Sequence, residues 1–118
     1  MGACGSTSLT ANQLTLHVTG APALQFGLFL YGADQDFFFV GDGAICVKPP
    51  LVRLKPVMLT DGAGTVSFPL DLSVPPFSGG PHQVGAFETW HFQFWFRDPP
   101  GGPAGFNFSD GLAVTFCP

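Results

Sequence analysis

Strict alternation is clearest between Thr89 and Asp98, where Trp90, Phe92, Phe94 and Phe96 are separated by His91, Gln93, Trp95 and Arg97. Successive side chains of a strand point to opposite faces. The first set therefore shares one side and the second set the other. Aromatics at every inward position predict the floor of a hydrophobic core. The opposite side carries an indole flanked by an imidazole, an amide and a guanidinium, and that is where a functional surface is expected.

The same period recurs along the chain. Leu14, Leu16 and Val18 point inward from a strand over Gln13–Thr19. In Leu24–Tyr31 the alternation places Leu24, Phe26, Leu28 and Leu30 on one face, taken as inward, and Gln25, Gly27, Phe29 and Tyr31 on the other. Phe37–Val40 is apolar throughout, so its facing is not assigned by pattern. Gly41-Asp42-Gly43 then makes a tight turn into Ala44–Val47. Pro49 and Pro50 interrupt pairing, because proline cannot donate to a ladder. Val52–Thr60 resumes as a strand bent at Pro56, and Asp61-Gly62 with Gly64 reads as a hairpin turn into Thr65–Leu72. There Val66, Phe68, Leu70 and Leu72 point inward, while Pro69 points outward and marks an edge. A loop over Pro75–Gly85 precedes the long aromatic strand, a second loop covers Pro99–Gly105, and a last strand runs over Leu112–Cys117 with Leu112, Val114 and Phe116 inward. No segment keeps a helical period. Turn residues recur roughly every eight to twelve positions. The prediction is an all-β fold: an antiparallel β-sandwich of about seven to eight strands, Ig-like or jelly-roll-like, over residues 13–118, with residues 1–12 as an N-terminal segment outside it.

Inward positions do not use up the aromatics. Phe29, Tyr31, Phe38, Phe77, Phe87, Trp95, Phe106 and Phe108 are surplus; Phe106 and Phe108 suit caps under the loops, and the remainder predict an exposed apolar patch of the kind that marks an interface. Charge changes the picture in the same direction. Only 10% of residues are charged, so little on the surface keeps copies apart. A net charge of −4 with four Lys and Arg argues against a nucleic-acid partner, which requires a basic stripe. No apolar run approaches the ~20 residues of a membrane span. Met1-Gly2-Ala3-Cys4 has neither the basic nor the apolar region of a leader, so the chain is expected to start after a removed leader or to be a piece of a longer protein.

Among candidate chemistries, catalysis has the least support. A nucleophile needs a base within reach, yet His17, His82 and His91 fall on different elements and no Gly-x-Ser-x-Gly elbow is present. Ser109 and Asp110 can be drawn with His91 as a triad, but no enzyme and no cofactor are expected. Calcium prefers clustered oxygen ligands, and Asp34, Asp36 and Asp42 are the weak candidate set, with solvated turn aspartates as the competing reading. Arg97-Asp98-Pro99 reads structurally, with Asp98 held extended before proline and Arg97 pairing with Asp98 or Asp110.

Two recognition readings remain. A Trp95 ring with His91, Gln93 and Arg97 around it has the composition of a sugar platform, so a polysaccharide is one candidate partner; burial of that face under the Pro75–Gly85 loop or a neighbouring subunit is the competing reading. Self-association, or packing against a partner module in a surface layer or fibre, is the preferred reading, with Phe29 and Tyr31 joining His91, Gln93, Trp95 and Arg97 on the partner surface. Cysteine count adds one constraint. Cys46 and Cys117 lie at predicted strand ends where a bridge is geometrically feasible and Cys4 is left over, but three single bridges are possible and spacing does not choose among them.

The carboxy-terminal third, from Trp90-His91-Phe92-Gln93-Phe94-Trp95-Phe96-Arg97-Asp98-Pro99 through Phe106-Asn107-Phe108-Ser109-Asp110 to Val114-Thr115-Phe116-Cys117-Pro118, resembles a domain at the C-termini of secreted planctomycete and myxobacterial proteins. That family reads W-x-F-Q-x-W-Y-R-D-P, then F-N-x-S-D, then a final strand. Upstream, Phe29-Leu30-Tyr31-Gly32, Phe39-Val40-Gly41-Asp42-Gly43 with Cys46, and Val52-Arg53-Leu54 are similar to its F-L-x-G, F-G-D-G-x-x-C and I-R-L segments. The chain departs from it at Ile45, where Arg is common, and at Lys48-Pro49-Pro50, where a Gly-rich turn is common. The resemblance implies an extracellular, β-rich module without assigned activity, attached to other modules or to a Cys-rich segment of which Gly2–Ser6 would be the tail. It further implies that Asp110 shapes the turn into the last strand, that Cys4 has its partner upstream, and that Cys46 and Cys117 pair with each other.

Overall fold

The computed structural model describes residues 1–118, and its regular structure is almost entirely antiparallel strand. They are β1 (Gly2–Gly5), β2 (Leu14–Val18), β3 (Phe26–Gly32), β4 (Gln35–Val40), β5 (Gly43–Val47), β6 (Val52–Arg53), β7 (Met58–Leu59), β8 (Val66–Pro69), β9 (Thr89–Arg97), β10 (Phe106–Phe108) and β11 (Leu112–Thr115). A single 3-10 turn, Pro99–Gly101, is the one helical element. No helix is long and apolar enough to cross a membrane.

The predicted aromatic strand is β9, and it lies inside a six-stranded sheet. One of its edges pairs with β3; along the other edge β10 and then β11 pair in succession, and β6 and β7 do the same along the far edge of β3. A three-stranded sheet, β1–β2–β8, packs against one face of this central sheet, and the β4–β5 hairpin lies on the other. The sandwich is therefore present, with a third, partial layer added to it.

Between the two sheets sits the main core. Leu14, Leu16 and Val18 meet Trp90, Phe92, Phe94 and Phe96, as the alternation predicted. In β3 the alternation is right but the sides are exchanged: Phe29 and Tyr31 face this core and are fully buried, while Phe26, Leu28 and Leu30 face the hairpin side. Register explains the exchange. Phe29 lies opposite Phe94 and Tyr31 opposite Phe92, and directly paired residues share a face. The Phe29 and Phe94 rings approach to 4.7 Å and Tyr31 stacks on Phe92 at 5.5 Å. Gly27 makes the room, since a Cβ there would fall 2.4 Å from the Phe94 ring. Both faces of β3 are apolar, so alternation alone had no polar side from which to take its sign.

Other expectations also change. Residues 1–12 do not stand outside the sandwich, because β1 pairs with β2 and Ser8 bridges Cys117. The Asp61 turn is no hairpin: it carries the chain from β7 in the central sheet to β8 in the small one. The Pro75–Gly85 loop closes the end of the main core with Phe77 and Val84 rather than covering the second face of β9. Its backbone holds Tyr31, whose hydroxyl donates to the His82 carbonyl at 2.8 Å. The implied Cys46–Cys117 bridge is not formed, and all three thiols are free. Cys117 faces the N-terminal segment, with its N–H on the Thr7 carbonyl and its sulfur 3.6 Å from Thr7 Oγ1, whereas Cys46 belongs to the hairpin layer.

Candidate functional site

The outer face of the central sheet is built row by row from the register. Phe26 of β3 lies beside Leu59 of β7; Leu28 lies beside Trp95 of β9, which lies beside Phe108 of β10; Leu30 lies between Arg53 of β6 and Gln93 of β9. His91 follows, opposite Gly32 and Ala113. The β4–β5 hairpin covers these rows unevenly.

Gln93 is the point of attachment. Its side chain is fully buried; the carbonyl accepts the Cys46 N–H at 2.8 Å, and the amide donates to the Ala44 carbonyl at 3.0 Å and the Ser109 carbonyl at 2.6 Å. Both amide hydrogens are thereby used. Leu30, Ile45 and Val47 are buried around it. Ser109 locks the gap between β10 and β11: its hydroxyl accepts the Phe94 N–H at 3.0 Å and its own N–H donates to the Phe94 carbonyl at 2.9 Å. Gln93, expected on a partner surface, is instead an internal crosslink.

A second attachment holds the hairpin tip. Asp42 accepts N–H groups from Ala104 at 3.3 Å and Gly105 at 3.0 Å, and its own N–H donates to the Phe106 carbonyl at 3.2 Å. Asp36 is engaged elsewhere, accepting the Phe37 N–H at 2.7 Å, and no three His, Cys, Asp or Glu side chains converge anywhere in the structure. Asp34, Asp36 and Asp42 therefore make no calcium cage. Asp34 and Asp36 sit at the start of β4, whereas Asp42 lies in the turn before β5 and spends both oxygens on the neighbouring loop.

Between these two attachments the roof stands off the sheet. A half-open cavity of about 470 Å³ lies there, floored by Leu28, Leu30 and Trp95, walled by Phe106 and Phe108, and roofed by Val40 and Ile45, with Leu51 and Arg53 completing the lining. Trp95 is half-buried, its ring 5.9 Å from that of Phe106. Arg97 is exposed beyond it, and His91 lines a separate, smaller depression with Gln35 and Cys46. The sequence-predicted set is thus split: Phe29 and Tyr31 are core, Gln93 is structural, and Trp95, Arg97 and His91 occupy different neighbourhoods. Burial pushes the Tyr31 phenol far above its ordinary range, so it stays a neutral hydrogen-bond donor.

The β4 strand, whose facing alternation does not assign, carries an exposed apolar pair. On β4, Phe37 and Phe39 are 64% and 81% exposed, with rings 5.5 Å apart in an edge-on pair. Both lie in the uninterrupted apolar run that gave alternation no polar reference. The neighbouring Gln35 and Asp36 were the available signal, since a strand that begins polar and exposed is rarely central. Comparison with protein-family models, with curated proteins and with solved structures finds no match for the chain.

Proposed function

We propose that this chain is a non-catalytic structural module of an extracellular protein, which packs against copies of itself or against a neighbouring module through the β4–β5 hairpin. The observation that carries the reading is the exposed Phe37–Phe39 pair on a strand whose only partner is β5. The outer edge of β4 thus offers unpaired backbone groups beside two phenyl rings, and neither Lys nor Pro guards it, as either commonly does on an edge. Adding a strand there would satisfy the backbone, and burying each ring contributes roughly 1.5–3 kcal/mol. With charge on only 10% of residues, little repulsion opposes the contact. The extracellular setting rests on the sequence resemblance.

A sugar platform at Trp95 is less well supported. Sugar recognition needs several convergent polar groups, and Gln93 has none to spare while the Trp95 neighbourhood is apolar.

Sedimentation velocity over a hundredfold concentration range tests the proposal. The wild-type chain is expected to grow in size with concentration, and the Phe37→Ser/Phe39→Ser variant to stay monomeric with little change in melting temperature. A wild-type chain that is monomeric throughout the range overturns it.

A further inference from the structure

The half-open cavity has a chemistry of its own. Apart from Arg53 its lining is wholly hydrophobic, and its volume of about 470 Å³ lies within the roughly 300–1,000 Å³ of small-molecule sites. Arg53 pairs in register with Leu30, which puts its side chain on the outer face at one flank of the cavity. Arg97 shares the face of Trp95 by alternation but stands exposed outside the cavity lining. Neither guanidinium has an acidic partner, since the one ion pair in the structure joins the terminal amine to Asp110. In a chain with four Lys and Arg against eight Asp and Glu, one of the few cations lines this apolar cavity.

The roof over this space is fixed in advance. Gln93 pins the hairpin at one end and Asp42 at the other, so a ligand entering would not have to order the site first.

We infer that the cavity binds a single-chain alkyl carboxylate, with its tail against Leu28 and Trp95 and its carboxylate on Arg53. The apolar lining sets the tail, because an uncharged polar ligand would lose hydrogen bonds to water without replacement. The head group follows from Arg53, whose planar fork matches a carboxylate with two parallel hydrogen bonds. A neutral alcohol of the same length fills the same space but leaves the guanidinium without its charged partner.

Decanoate and decanol, each below its aggregation or solubility limit, are titrated against the full chain by calorimetry and tryptophan fluorescence. Saturable binding of one decanoate per chain is expected, about tenfold tighter than decanol. Arg53→Gln should bring the two ligands to near-equal affinity, and Leu28→Trp, which fills the floor, should remove both. Arg53 is exposed and outside the core, so that variant reads the proposal even where Leu28→Trp does not fold. Absence of saturable binding overturns the assignment, as does an unchanged preference in Arg53→Gln. Capture of the chain by anionic phospholipid vesicles without binding of free decanoate also overturns it, by assigning Arg53 to a membrane surface.

Discussion

On one side of β9, Trp90, Phe92, Phe94 and Phe96 meet a continuous apolar partner; on the other, His91, Gln93, Trp95 and Arg97 meet a hairpin that touches them at intervals. The inner side is held by ring packing, which is non-directional and tolerates no gap. The outer side is held by directional bonds at Gln93 and Asp42, which fix a few points and leave the span between them unfilled. A cavity is thus a natural product of pinning a layer with hydrogen bonds rather than packing it with side chains. The two faces of one strand have come to do different things because they are fastened by different forces.

The largest expected effect breaks the inner side. Phe94→Ala empties a fully buried site among Phe29, Phe96 and Gly27, and should cost about 3–5 kcal/mol in a single cooperative denaturant transition. An effect below about 1 kcal/mol would show that the rings do not form a rigid core.

Next comes the outer side. Gln93→Leu keeps the volume but leaves the Cys46 N–H and the Ala44 and Ser109 carbonyls without their partner, at a cost of about 2 kcal/mol. Hydrogen exchange should then speed up selectively in β4 and β5 while β2 and β3 stay protected. Uniform acceleration instead would mean that the hairpin is not a separable layer.

The smallest effect concerns the turns at the two ends of β8, the edge of the sheet that covers the inner side. Asp61 is held below the usual carboxylate range by the Thr65 hydroxyl and by the Thr65 and Ala63 amides, and Asp71 by the Ser73 hydroxyl and the Asn12 amide. Depressed folded-state values mean that this stability is present above the unfolded carboxylate pKa of about 4 and is lost as pH falls through the folded values. Melting temperature should therefore fall below about pH 4, and less steeply in Asp61→Asn/Asp71→Asn. Parallel curves for the two proteins would remove these turns from the acid response.

Much of the fold was legible in the residues themselves. Leu14, Leu16 and Val18, and Trp90 through Phe96, announced their faces because polar neighbours alternate with them. Gly41-Asp42-Gly43 announced its hairpin because the turn chemistry is local. Where both faces are apolar the signal failed: β3 was read with its sides exchanged, and β4 could not be read at all. The outer site suffered most. Gln93 looked like a surface amide because nothing near it in sequence reveals that Ala44, Cys46 and Ser109 will arrive to use it.

Alternation and turn residues, which are local, determined an all-β chain, the core side of β9 and the positions of most turns. The tertiary structure alone decided which face of β3 is inward, which polar groups are consumed internally, and that a third layer stands off the sheet to leave the Trp95 cavity. Those outcomes depend on strand register between segments far apart in sequence, and a period-two pattern cannot choose between two apolar faces until the partner strand supplies the side chains that fill one of them.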